Sequence, residues 1–157
     1  MEFKSMSREA CEKYAARKHE KTSVVISIRS IWDKVLPKIV ANATNNIQDV
    51  LFVAFNDVDG EILRHESDPG FITKSDAIKI AHFVNDHKFD VDLLIVHCDG
   101  GVSRSPGVLA AAKRYLTGDD LSIFKSQTKC PNTGVYLAVI KAFEDEFGWS
   151  IQLYMDE

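Results

Sequence analysis

The sequence predicts an α/β fold in which a central, mainly parallel sheet of four or five strands is flanked by helices. Three segments consist almost entirely of β-branched and other apolar residues, as in strands covered on both faces: residues 24–28, 50–55 and 93–96. Segments with helical spacing of apolar residues alternate with these strands. We therefore expect parallel strands, with functional groups at the edge where their carboxyl ends meet.

Four helices are predicted from apolar spacing and from residues that typically begin or end helices. Ser7 is placed to cap the first helix, a Thr-Lys-Ser-Asp capping box opens the second, and Gly118 and Gly148 follow the last two. The connection between the first two strands is expected to contain a helical turn and then a surface loop. The helices are expected over residues 7–18, 73–87, 106–117 and 133–147, the turn over 32–39 and the loop over 42–46.

Length and composition indicate one compact domain over residues 1–157, with 45% hydrophobic and 27% charged residues. The 19 lysines and arginines stand against 23 aspartates and glutamates, giving a net charge of −4, so general nucleic-acid binding is not expected. No apolar run approaches the roughly 20 residues that span a bilayer, and the first residues lack the apolar core of a signal peptide. We expect a cytoplasmic protein with no membrane partner, and the oligomeric state is left open.

The three cysteines are Cys11, Cys98 and Cys130. They are an odd and sparse set without a Cys-x-x-Cys pair, which supports neither a disulfide framework nor a structural zinc site. The histidines show no metal-ligand spacing with carboxylates or cysteines. The sequence therefore predicts free thiols, no metal and no cofactor.

The most informative segment is Ile-Val-His-Cys-Asp-Gly-Gly-Val-Ser-Arg-Ser-Pro at residues 95–106, where a predicted strand passes into a helix. Its two glycines let successive backbone N–H groups converge, and the helix adds the positive end of its dipole, so the turn can bind a tetrahedral oxyanion. Cys98 at its edge is expected to form a thiolate nucleophile. Arg104 can offer two phosphate oxygens a planar pair of donors, and Ser105 can hydrogen-bond the sulfur.

This His-Cys-x5-Arg-Ser segment resembles the signature of the cysteine-based protein tyrosine phosphatases, most closely their small dual-specificity branch and its compact prokaryotic relatives. A second segment, residues 130–136, looks like the Pro-Asn-x-Gly-aromatic stretch that opens a late helix in that branch, with Val135 where an aromatic is commoner. The resemblance covers roughly residues 23–147. The matching residues of the first segment are His97, Cys98, Gly101, Arg104 and Ser105.

The resemblance implies a tyrosine phosphatase-like fold and hydrolysis of phosphomonoesters through a phosphocysteine intermediate. Cys98 would attack phosphorus, Asp57 would protonate the leaving oxygen, and Ser105 would ease departure of the sulfur. His97 and Asn132 would support the loop that binds the phosphate. The loop residues are Asp99, Gly100, Gly101, Val102, Ser103 and Arg104.

The general acid has two candidates in the sequence. The segment Ala54–Asp57 looks like the one that carries the acid in that branch, but Asp57 stands 41 residues before Cys98, somewhat farther than usual. Asp59 is the alternative, and both aspartates also fit ordinary turn chemistry. The sequence leaves these readings open.

The expected substrate is a phosphorylated protein or a small phosphomonoester, in the manner of a tyrosine or dual-specificity phosphatase. One alternative is a phosphatase for a phosphoinositide, a nucleotide or an RNA 5′-phosphate, although residues 99–103 lack the lysines that polyanionic lipid headgroups usually recruit. The other is a weakly catalytic phosphate-binding pseudophosphatase. Intact Cys98, Arg104 and Ser105 argue against it.

Overall fold

The computed structural model describes residues 1–58 and 70–149, and this part of the chain contains four strands and five helices. The strands are β1 (Glu2–Ser7), β2 (Ser23–Arg29), β3 (Ile47–Ala54) and β4 (Leu93–Cys98). The helices are α1 (Arg8–Ala15), α2 (Lys74–His87), α3 (Arg104–Thr117), α4 (Leu121–Phe124) and α5 (Thr133–Phe147).

The four strands form one sheet in the order β1-β4-β2-β3, and every pair is parallel. The predicted α/β fold with a mainly parallel sheet is therefore confirmed. The two interior strands, β4 and β2, are buried along nearly their whole length, which explains their continuous apolar sequences. Since β4 lies between β1 and β2, Cys98 at its carboxyl end is supported from both sides.

Helices cover both faces of the sheet. Successive residues of a strand point to opposite faces, so Ile26 and Leu94 pack with α2, α3 and α5, while Val25 and Ile95 pack on the side of α1. The larger core, on the side of α3, also contains Cys98. The phosphate loop predicted from the sequence therefore starts at the top of the main core.

The amino-terminal strand β1 was not predicted, because residues 1–20 have no match in the resemblance and no continuous apolar run. Of its six residues only Met6 is buried. It nevertheless pairs with β4 over its full length, with Ser7 opposite Cys98. The strand therefore reaches the level of the predicted nucleophile.

The helix boundaries follow the predicted end signals. The hydroxyl of Ser7 accepts a hydrogen bond from the N–H of Ala10, and that of Thr73 from the N–H of Asp76. Gly118 and Gly148 end α3 and α5 in the left-handed conformation, with φ of 79° and 65°. Two boundaries differ. The first helix ends at Ala15 and not at residue 18, and α3 begins at Arg104 rather than near residue 106, so that it carries the arginine on its first turn.

The helical turn expected over residues 32–39 is wrong, because the structure has no helix between β2 and β3. Of the apolar residues that suggested it only Ile39 is buried, whereas Trp32, Val35 and Leu36 are more than half exposed.

No helix within residues 1–58 or 70–149 combines the length and hydrophobicity that a membrane crossing requires.

Candidate active site

The predicted phosphate loop connects the end of β4 to the first turn of α3. Its first and last members, Cys98 and Arg104, are 2% and 5% exposed. The loop is held from outside by the carbonyl oxygen of Gly101, which accepts hydrogen bonds from the Ser5 hydroxyl at 3.1 Å and from Nζ of Lys129 at 2.7 Å. Because this carbonyl points away from the inside of the loop, the N–H groups of the loop can point inward, toward a bound anion.

The two glycines of the loop have different roles. Gly101 has φ of +71°, and a Cβ added there would stand 2.5 Å from the carbonyl carbon of Met6 and 2.6 Å from the nitrogen of Ser7. A Cβ on Gly100 would meet nothing within 4 Å. Close packing of the loop on β1 therefore requires glycine at 101 alone.

The sulfur of Cys98 lies among hydrogen-bonding groups. The N–H groups of Gly101 and Ser105 donate to Sγ at 3.2 and 3.4 Å, and the Ser105 hydroxyl oxygen is 3.2 Å from it. The amino-terminal end of α3 contributes its positive dipole at the same point. Donors of this kind stabilise a thiolate over a thiol.

The other two thiols have different surroundings. Cys11 is fully buried in the smaller core, and burial, assisted by the charge of Glu12, raises its pKa to about 12. Cys130 is exposed and precedes α5. Of the three cysteines, only Cys98 has the loop geometry that activates a nucleophile.

The guanidinium of Arg104 is positioned by groups from three segments. Nη1 donates to the carbonyl oxygen of Phe55 at 2.8 Å and to the hydroxyl of Ser30 at 3.2 Å, and Nη2 lies 3.2 Å from Oδ2 of Asp99. Nε is buried without a hydrogen-bond partner among the described residues. A buried N–H of a charged group without an acceptor is costly, so an oxyanion in the loop would satisfy it.

Asp57 lies at the rim of the loop. Its Oδ1 accepts hydrogen bonds from the Ser103 hydroxyl at 2.7 Å and from Nδ2 of Asn132 at 3.0 Å. No described residue hydrogen-bonds its other oxygen, Oδ2, which is thus the oxygen available to carry a proton. The competing candidate Asp59 lies outside the described residues.

Asn132 connects the acid segment to the phosphate loop and to α5. Its side-chain amide also donates to the carbonyl of Val58 at 2.8 Å, its side-chain oxygen caps α5 at the N–H of Val135, and its own N–H donates to the carbonyl of Ser103 at 2.9 Å. Asn132 therefore joins the segment at Asp57 and Val58, the phosphate loop at Ser103 and the first turn of α5.

His97 is wholly buried behind the loop. Nε2 is 2.6 Å from the hydroxyl of Ser27, and Nδ1 is 3.4 Å from the carbonyl oxygen of Cys98. Burial, as the largest influence, lowers the pKa of the imidazole below its ordinary value. A neutral ring in contact with two fixed partners is suited to support the strand end and not to carry protons.

The remaining loop residues contribute mainly backbone groups. Val102 is 46% exposed. The side chain of Asp99 contacts Arg104, and the side chain of Ser103 contacts Asp57. Sequence reasoning missed Ser5, Ser30 and Lys129 together with the Phe55 carbonyl. Ser30 could have been found, because it follows a buried parallel strand at the edge where functional groups collect.

The part of the chain that the structure describes holds no group of three or more His, Cys, Asp or Glu arranged to bind a metal ion. The charged side chains described around the loop are those of Arg104, Asp99, Asp57 and Lys129.

No family model matches the chain, and no curated protein matches it. Solved structures do match in fold. The structure of human DUSP28 is similar at a TM-score of 0.60 and 15% identity, over 94% of this chain and 95% of that one. The chain has the fold of the dual-specificity phosphatases.

Two further structures agree with that fold. Tk-PTP in its active form is similar at a TM-score of 0.54 and 14% identity, covering 92% of this chain and 91% of that one. The human tyrosine phosphatase-like serine/threonine/tyrosine-interacting protein is similar at 0.54 and 15%, with 82% and 80% covered. The fold implied by the resemblance is thus confirmed. At such identities the likeness concerns the fold alone, so the activity is argued from the site.

Proposed function

We propose that the protein is a phosphomonoester hydrolase of the tyrosine or dual-specificity type that acts, without metal, through a phosphocysteine intermediate. The observation that carries the proposal is the buried Nε of Arg104, which has no acceptor among residues 1–58 and 70–149 and lies in the same loop as a cysteine whose sulfur accepts two backbone N–H groups. A tetrahedral dianion bound in the loop would supply the missing acceptor. It would also bring phosphorus to the nucleophile.

In the first step, the thiolate of Cys98 attacks phosphorus in line with the ester oxygen. The S–P bond forms as the P–O bond to the leaving group breaks, and Asp57 donates a proton from Oδ2 to that oxygen. Backbone N–H groups of the loop and the guanidinium of Arg104 stabilise the charge on the equatorial oxygens. Asp57 remains at the rim through its contacts with Ser103 and Asn132.

In the second step, water attacks the phosphorus of the phosphocysteine, and Asp57, now a carboxylate, accepts its proton. The P–S bond breaks, and the sulfur leaves as a thiolate. The hydroxyl of Ser105, 3.2 Å from Sγ, and the N–H groups of Gly101 and Ser105 stabilise that charge. Splitting hydrolysis into two displacements at one cysteine is what nucleophilic catalysis contributes.

The substrates that we propose are phosphorylated proteins and small aryl phosphates. Phosphotyrosine is accepted, and phosphoserine or phosphothreonine can also reach the loop, because the short chain has no long aromatic-rich insert to build a deep selective pocket. We place this activity in the cytoplasm.

The test is release of phosphate from p-nitrophenyl phosphate and from a panel of phosphopeptides, phosphoinositides and nucleotides, all in excess EDTA. Cys98→Ser should abolish turnover but retain tungstate binding, because Arg104 and the backbone donors remain. Cys130→Ser, an exposed cysteine changed in the same way, should keep wild-type turnover. Loss of activity in EDTA would refute the metal-free mechanism. Tungstate binding without turnover in the wild type would assign a phosphate-binding role instead.

A further inference from the structure

A groove of about 570 Å³ runs beside the phosphate loop along the outer edge of β1. One wall is formed by Lys13 of α1 and by Arg17, just beyond the end of that helix, and the floor by residues 4–7 of β1. Gly100 and Lys129 line its end at the phosphate loop. The groove therefore ends beside the phosphate loop, on the side where Ser5 and Lys129 bind the carbonyl oxygen of Gly101.

The groove is cationic in a protein whose net charge is −4. Lys4, Lys13, Arg17 and Lys129 line it, and no lining residue carries a carboxylate. Lys4 and Arg17 form no ion pair with any residue in 1–58 or 70–149. Lys13 pairs with Glu9 at 3.1 Å, but both side chains are at least 65% exposed, so the pair is weak and can exchange for another anion.

The floor of the groove adds backbone hydrogen-bonding groups. β1 is an edge strand that pairs with β4 alone, so every second residue directs its N–H and C=O away from the sheet. Residues 4–7 span about 13 Å of this strand, at roughly 3.3 Å per residue, and Gly101 packs against its last peptide group, between Met6 and Ser7. An extended peptide can pair with an edge of this kind, whereas a small anion cannot use it.

We propose that this groove binds an acidic segment of a phosphopeptide substrate as a strand added to β1, with its carboxylates near Lys4, Lys13 and Arg17. The phosphorylated residue of the same peptide then enters the loop past Gly100. This inference rests on the proposed phosphatase function and adds to it a substrate class: phosphoproteins with acidic residues beside the phosphorylated residue. Cationic side chains on an edge strand can also act only to prevent self-association, so the experiment must separate the two roles.

The experiment compares two phosphotyrosine peptides of equal length, one with Asp and Glu on either side of the phosphotyrosine and one with Asn and Gln at those positions. Each is assayed with wild-type protein, with the groove variant Lys13→Gln/Arg17→Gln, and with the control Lys79→Gln/Lys141→Gln. The control removes the same charge from α2 and α5, on the face of the sheet opposite α1. p-Nitrophenyl phosphate, which is too small to reach the groove, reports the proposed chemistry by itself.

We expect the wild type to have a higher kcat/KM for the acidic peptide than for the neutral one. In the groove variant, kcat/KM for the acidic peptide should fall roughly two- to fivefold for each cation removed. The loss should shrink at 0.5 M salt, while the neutral peptide and p-nitrophenyl phosphate should be unaffected. The control variant should keep the preference for the acidic peptide. Equal losses of kcat/KM in both double variants, or no loss in the groove variant, would overturn the proposal. The cationic side chains would then act only to prevent self-association at the strand edge.

Binding keeps this test independent of turnover. Peptides with a difluoromethylphosphonate in place of the phosphate are titrated by fluorescence anisotropy, so a protein that binds but does not hydrolyse still reports on the groove. N-methylation of alternate backbone nitrogens beside the phosphorylated residue should weaken binding of the acidic peptide severalfold. Unchanged binding of the N-methylated peptide would overturn pairing with β1. Failure to hydrolyse p-nitrophenyl phosphate would reject the proposed function without deciding the outcome for the groove.

Discussion

Nη2 of Arg104 lies 3.2 Å from Oδ2 of Asp99, the residue that follows the proposed nucleophile. The arginine side chain is 7% exposed and the aspartate 49%, so the carboxylate reaches the guanidinium from the solvent side. A substrate dianion therefore meets an arginine that is already partly neutralised, and it also meets a like charge at the loop entrance.

Asp99→Asn should increase the affinity of the loop for oxyanions. It removes the competing negative charge and keeps a side-chain oxygen that can contact Arg104. One unit charge a few ångströms away in partly exposed surroundings is worth roughly 1 kcal/mol, or about a fivefold lower inhibition constant for phosphate or tungstate. The inhibition constant is measured by competition with p-nitrophenyl phosphate. For that substrate we expect kcat to change less than KM. A higher inhibition constant would mean that Asp99 chiefly orients the guanidinium.

Gly101→Ala should disrupt the loop, because a Cβ there collides with the backbone of β1 and the φ of +71° disfavours any side chain. We expect a loss of more than about 2 kcal/mol in the free energy of unfolding, together with loss of tungstate binding. Gly100→Ala is the matched control one residue away. With open space at its Cβ position, it should retain both properties. Similar behaviour of the two variants would contradict the packing of the loop on β1.

The parts of the fold predicted correctly are those with a strong local signal. Continuous apolar segments predicted the interior strands β2 and β4, and residues such as Thr73 and Gly118 marked helix ends. The position of β3 was predicted too, but the expectation that it is covered on both faces is wrong, because β3 is an edge strand with Phe52 exposed. β1 was missed because an edge strand buries little. Its polar sequence is stabilised by pairing with β4, a contact that no local pattern reveals.

In the candidate site, too, the local sequence reveals some contacts, whereas others depend on the order of the strands in the sheet. The residues from Cys98 to Ser105 are close in sequence, so their proximity could be predicted. The partners that position Arg104, the Phe55 carbonyl and Ser30, come from the ends of other strands and are brought together only by the sheet order. For Asp57, only the spacing from Cys98 could be read from the sequence, and the structure adds its contacts with Ser103 and Asn132.

His97 should make stability depend on pH on the acidic side. Its pKa is lower in the folded protein than the ordinary value of 6.5, chiefly through burial, so the unfolded chain binds the proton more readily. The contribution of His97 to the free energy of unfolding is complete above about pH 6.5. It is lost as the pH falls below that value, by at most about 1.4 kcal/mol per pH unit. Urea unfolding at pH 7.5 and 5.5 should show a smaller decrease for His97→Gln than for the wild type. An equal decrease in both proteins would contradict a buried neutral imidazole.

Asp57→Asn tests the general acid, because asparagine keeps the oxygen that accepts from Ser103 and Asn132 but has no acidic proton to transfer to the leaving group. Proton donation matters most for a basic leaving group. The variant should therefore slow hydrolysis of phenyl phosphate or phosphotyrosine by roughly 10²–10⁴-fold and largely spare a dinitrophenyl ester. The alkaline limb of the rate profile, which reports loss of the acid's proton, should flatten, while the acidic limb should persist. Asp59→Asn is the control and should resemble the wild type. If the two variants exchange these behaviours, the acid is Asp59; if neither depends on the leaving group, the acid is another residue, with Asp68 the next to test.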